Sequence, residues 1–119
     1  MRFIPRQLLI HSAEVRTPLS EDSFGNITFS EPQKLSFIRI DDGKVLKRGG
    51  FENSDVSSAL LIYDCRNSLP KNFIFSLGQR ISFGGRCFSV SDISFYYEKK
   101  LLHHIEVTLE SCFSGGDSL

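Results

Sequence analysis

Alanine occurs only twice in this chain of 119 residues, at Ala13 and Ala59, whereas phenylalanine occurs 11 times. Scarcity of the best helix former beside abundant Phe, Ile, Val and Ser argues against a helical protein and for strands. Cysteine is also sparse. Cys65, Cys87 and Cys112 are odd in number and far apart, which excludes a disulfide framework or a zinc ribbon and fits a reducing, cytoplasmic setting. Net charge is absent, with 14 basic and 14 acidic residues. The chain therefore lacks the long-range positive field on which nonspecific nucleic-acid binding depends. Long apolar runs are missing too: Leu60 to Tyr63 and Leu8 to Ile10 fall far short of the ~20 residues that cross a bilayer. Pro5, Arg6 and Gln7 interrupt the N-terminal segment and no small-residue cleavage site follows, so neither a membrane span nor a signal peptide is expected.

What is present reads as one all-β domain, since a chain of this length suits a single core. Leu8 to Arg16 alternates, with Leu9, His11, Ala13 and Val15 on one row. Thr17 to Asn26 carries Pro18, Asp22, Gly25 and Asn26 and is expected to be a loop. Ile27 to Ser30 and Lys34 to Asp41, interrupted at Glu31 and Pro32, are expected as two short strands or one bent strand. Ser58 to Asp64 is an apolar strand flanked by turn residues. Gly84-Gly85 joins Arg80 to Phe83 to the long strand Arg86 to Glu98 as a type I′ or II′ hairpin. Within that strand the apolar phase changes sides, predicting a bulge near Ser91 or Asp92. In the last strand, Leu101 to Glu110, the row Leu101, His103, Ile105, Val107 and Leu109 is expected to face inward. The expected fold is a small β-barrel, SH3-like, OB-like or sandwich-like, of six to seven strands with one long inserted loop. Residues 1–110 form the barrel domain, 41–57 the loop and 111–119 a C-terminal tail. The loop is glycine-rich and charged, and unstructured loops beyond about 12 to 15 residues are usually functional or disordered.

No convergent chemistry is evident. A zinc site needs about four Cys or His ligands, and adjacent His103 and His104 in a regular strand point to opposite faces. No residue set marks an activated cysteine, and no GxSxG, HExxH or phosphate-loop motif occurs. Asp41 and Asp42 precede Gly43 in a turn-like setting rather than as an acid-base pair. No catalytic, metal or cofactor-binding residue is therefore assigned. Lys44, Lys47 and Arg48, with Gly49, Gly50 and Phe51, remain the candidate site. They serve either as a solvated charged loop or as a local contact for phosphates or a neighbouring subunit. Phe95, Tyr96 and Tyr97 are read as core plus interface aromatics or, in an OB-like nucleic-acid-binding module, as stacking platforms.

Residues 1 to about 110 resemble the minor capsid and head-completion proteins of tailed phages of Gram-positive bacteria. The resemblance is carried in order by IPRQLLIHSAEV, SEDSFGNITFSEP, SALLIYDCRNSLP, LGQRISFGGRCFSVSDI and KLLHHIEVTLE. It implies a β-barrel head-tail connector of the stopper type, assembled with itself as a ring of about six or twelve copies. The implied partners are portal or adaptor proteins above, tail-completion proteins below and packaged DNA inside. The implied location is the head-tail junction of a virion made in the host bacterial cytoplasm. In such a ring the 41–57 segment would be the loop that meets the channel or a neighbour.

Overall fold

Among the described residues, eight strands follow a single 3-10 turn at Arg6–Leu8, and six of them close on themselves. The structure, a computed structural model, describes residues 6–47 and 55–112, with side chains described for 7–41 and 58–112. The barrel consists of β1 (His11–Arg16), β4 (Gln33–Lys47), β5 (Asp55–Asp64), β8 (Leu101–Ser111), β7 (Arg86–Glu98) and β6 (Arg80–Phe83), in that spatial order. All neighbours are antiparallel, and pairing of Glu14 with Ser82 and Arg16 with Arg80 closes the cylinder. Between β1 and β4, β2 (Pro18–Glu21) and β3 (Ile27–Phe29) form a separate two-stranded sheet. The all-β barrel expected from composition is what forms. The expected loop at 17–26 is in part a strand, β2, because Pro18, Ser20 and Glu21 pair across a tight turn with Phe29, Thr28 and Ile27.

The core lies inside the barrel and comes from alternate positions on its strands. Leu9, Ala13 and Val15 bury the predicted row near β1, and Ile105, Val107 and Leu109 bury that of β8. Leu35, Ile38, Leu61, Ile81 and Phe88 are completely enclosed. Burying one such side chain is worth ~1.5–3 kcal/mol, so the interior supplies the main driving force without covalent staples. All three cysteines are free thiols.

Bulges re-aim the strands at the barrel's corners. Ser91 is the extra residue between the pairs Val90–Leu109 and Asp92–Thr108, where the change of apolar phase predicted it. Its hydroxyl donates to the Thr108 carbonyl at 3.2 Å. Phe37 is extra in β4, with φ of 56°. The inward row therefore passes from Leu35 to Ile38 and Ile40 instead of alternating evenly. At Gly84 and Gly85 φ is 60° and 78°, which makes the β6–β7 turn type I′.

The strand directions give the barrel two unlike ends. The β4–β5 hairpin and the β6–β7 turn lie at one end, the arm end. At the other, the base end, lie the β2–β3 hairpin, the β7–β8 turn and the chain from Cys65 to Gln79 that links β5 to β6.

Candidate functional site

Most of the segment expected to be a long loop at 41–57 is ladder. Asp41 pairs with Leu60, and Lys44, Val45, Leu46 and Lys47 pair with Ser58, Ser57, Val56 and Asp55. The expectation of a turn at Asp41-Asp42-Gly43 is corrected in the same way. Two residues, Asp42 and Gly43, oppose Ala59 alone, so the site is a bulge within β4. A loop reading fails because charge and glycine lower strand propensity locally, while the cross-strand ladder holds the backbone regardless.

The pairs Val45–Ser57, Leu46–Val56 and Lys47–Asp55 continue beyond Ser58–Glu110, the last pair of β5 with β8. Among the described residues no third strand backs them. They form a two-stranded arm that outgrows the barrel by roughly 10 Å at ~3.4 Å per residue. Of the predicted site residues, Lys47 is placed in this arm by its backbone, and Lys44 lies just below it, on the rung where Ser58 still pairs with Glu110 of β8. Arg48, Gly49, Gly50 and Phe51 lie outside the described residues.

The base end is built differently, from buried polar groups that hold an irregular chain against the barrel. Tyr63 is 1% exposed. Its hydroxyl donates to the Pro70 carbonyl and accepts from the Phe73 amide at 3.3 Å, while its ring meets Phe75 edge-on at 5.5 Å. Burial pushes the phenol's pKa above its usual value. Asp64, wholly buried, accepts from Asn67 Nδ2 at 2.8 Å. Ser68 Oγ accepts from the Asp64 amide at 2.9 Å and donates to the Phe37 carbonyl at 2.5 Å, so the bulge and the crossover fix each other. Gln79 anchors the far end of the crossover. It accepts from the Ser76 amide at 2.9 Å and donates to Thr17 Oγ1 at 3.1 Å and to the Ile74 carbonyl at 3.2 Å.

Two adjoining grooves flank this crossover. One, of about 520 Å³, is lined by Phe73, Ile74, Phe75, Phe95, Leu102 and Ile105, among others. The second, of about 440 Å³, includes Arg66, Lys71, Leu101 and His103, and Cys65 and Leu102 border both. Burial first, then the charge of Asp64, pushes the Cys65 thiol above its usual pKa. That is opposite to the shift an activated nucleophile requires.

Sequence reasoning missed the histidine arrangement. His103 is the extra residue between Tyr96–His104 and Tyr97–Leu102, so strict alternation lapses and the rings meet, Nδ1 to Nδ1, at 2.8 Å. His104 also stacks on Tyr96 at 4.8 Å and contacts Glu106 Oε2 through Nε2 at 3.2 Å. The inward row predicted for β8 ends at the same bulge: Leu101, beyond it, is 69% exposed. No set of three His, Cys, Asp or Glu side chains suited to a metal occurs among the described residues.

Such a molecule is a closed antiparallel barrel whose distinctive parts are outgrowths and surface grooves. The family profile described as minor capsid protein matches residues 5–109, and the chain belongs to that family. It is thus a structural component of a virion. Among solved structures, a chain from the virion of a native gene transfer agent particle has a TM-score of 0.56 and 10% identity. The match covers 84% of this chain and 91% of that one, and the likeness is one of fold. No curated protein matches.

Proposed function

We infer that the protein is a head-tail connector subunit of the stopper type, assembled as a ring below the portal. Membership of a minor capsid family and the five-segment resemblance to head-completion proteins support this reading. The observation that carries it is the β4–β5 arm, a hairpin that leaves the barrel with no third strand behind it among the described residues. In a ring of barrels such arms converge on the axis, where Lys44, Lys47 and Arg48 meet the phosphates of packaged DNA. Contacts of that kind are local and salt-dependent, which suits a chain with no net charge. Portal or adaptor proteins occupy one side of the ring and tail-completion proteins the other. The role is mechanical, retaining DNA and attaching the tail, and assigns no catalytic residue.

Pull-down by portal-bearing heads tests this directly. The purified protein is expected to bind such heads and not heads lacking the portal. Equal binding to both, together with micromolar affinity of the isolated protein for an oligonucleotide, would replace the connector with a small nucleic-acid-binding module.

A further inference from the structure

Two exposed features at the base end complement each other in charge and in shape. The first is the β2–β3 hairpin. Between Arg16 and Lys34 the chain carries Glu21, Asp22 and Glu31 and no basic residue. Leu19 and Phe24 are 65% and 87% exposed there. A two-stranded ribbon is marginal alone in water, yet this one is firmly shaped. Asp22 Oδ1 accepts from the amides of Phe24 at 2.8 Å and Asn26 at 2.9 Å, and Gly25 takes φ of 86°. These amide bonds, that of Asn26 foremost, hold the Asp22 carboxyl below its usual pKa, so the tip remains anionic. At the base of the hairpin Thr17 N donates to Ser30 Oγ at 3.0 Å, and the Arg80 guanidinium lies over the Phe29 ring at 5.2 Å. The result is a rigid acidic turn with a phenylalanine at its tip, a position where turn chemistry favours small polar residues.

The second feature is the apolar groove with its rim. Ile74 is 79% exposed and Phe95, Tyr97 and Leu101 more than half exposed, while Lys71, Lys99 and Lys100 are exposed beside them. Lys71 donates to the Arg66 carbonyl. Of the acids nearby, Asp64, which lines the adjoining groove, is wholly buried and Glu98 is half-buried. An apolar slot bordered by lysines is the counterpart of an acidic turn bearing an aromatic knob.

Within one molecule the two features do not meet. In the closed order β1-β4-β5-β8-β7-β6, the β2–β3 hairpin hangs between β1 and β4 and the β7–β8 turn lies diametrically across. The β7–β8 wall of the groove therefore lies on the flank opposite the knob, while its Ile74 wall is tied through Gln79 to Thr17 at the hairpin's root, and Phe24 and Ile74 both remain exposed. Such an arrangement generates head-to-tail contacts, which close into rings when the rotation per subunit permits.

We propose that the β2–β3 hairpin of one copy docks in the groove between the crossover and the β7–β8 hairpin of the next, with Phe24 inserted beside Ile74 and Phe95 and Glu21 and Glu31 facing Lys99 and Lys100. The proposal rests on the connector reading only in taking a second copy of the chain as occupant. Rigidity of the turn lowers the ordering cost of docking.

Sedimentation velocity on the full chain over a range of concentrations and salt tests it. Association should rise with concentration and weaken with salt. Phe24→Ala and Ile74→Asp should each reduce it at least about tenfold, as loss of a central anchor does, with far-UV circular dichroism unchanged because both side chains are exposed. Mixing those two variants leaves one intact knob and one intact groove, so the mixture should stop at dimers. The pair Glu21→Lys and Glu31→Lys should weaken association and recover it when mixed with Lys99→Glu and Lys100→Glu. No association at any concentration, or association indifferent to Phe24→Ala, overturns the interface. Dependence on Phe24 but not on Ile74 and the lysines overturns the pairing. Failure here with normal capture by portal-bearing heads removes this interface alone, whereas intact association without capture removes the connector reading alone.

Discussion

The two ends of the barrel are finished by opposite means. At the base end, an irregular chain from Cys65 to Gln79 is held by Tyr63, Asp64, Ser68 and Gln79, each buried and each satisfied by named partners. At the arm end, the β4–β5 hairpin runs on past β8 with, among the described residues, its own ladder alone. Polar groups inside the barrel mouth are costly unless paired, so the base cannot loosen piecemeal. The arm can change without disturbing the core. The difference separates a part held by buried polar groups from a part held by its own ladder.

Several substitutions would break or sharpen this contrast. The largest effect belongs to the shared core. Leu61→Ala, at a position of zero exposure, is expected to cost about 2–5 kcal/mol in urea unfolding, since a cavity adds to the lost transfer energy. Next comes the base. Tyr63→Phe strands the Pro70 carbonyl and the Phe73 amide, and a loss of ~1–3 kcal/mol is expected. Faster alkylation of Cys65 should accompany it as the crossover loosens. If Tyr63→Phe unfolds at the wild-type urea midpoint, the staple is not holding the base.

Alkaline pH acts on the same end. The Tyr63 and Cys65 pKa values are raised on folding above ordinary values of 10.0 and 9.0, so the folded state keeps protons that the unfolded state releases. Their contribution is complete below pH 9.0 and is lost as pH rises through the folded values. The urea midpoint should therefore fall above pH 9.0, and less so in Cys65→Ala. The smallest effect belongs to the arm. Lys44→Ser with Lys47→Ser should leave barrel stability within ~0.5 kcal/mol of wild type, measured by the same unfolding. A large loss would mean that the arm and barrel fold as one unit.

Legibility in the sequence follows the same division. Regular alternation announced the β1 and β8 core rows, and Gly84-Gly85 announced its turn because both positions need positive φ, which glycine adopts without strain. The Ser91 bulge was visible because apolar side chains change faces across it. Phe37 gave no comparable sign: its bulge depends on Ser68, distant in sequence, capturing its carbonyl. The meeting of His103 and His104 was hidden for a related reason, since a bulge in β8 is set by pairing with β7. Glycine and charge disguised the arm, whose ladder comes from strand pairing rather than propensity. The docking hairpin was half legible: Asp22, Gly25 and Asn26 marked its turn, while exposure of Phe24 is a property of the fold.

The most direct measurement concerns the arm. Particles should be assembled with Lys44 to Asn53 deleted and their DNA content followed over time. The connector account predicts heads that package DNA and then leak it. Full assembly with no leakage would contradict it.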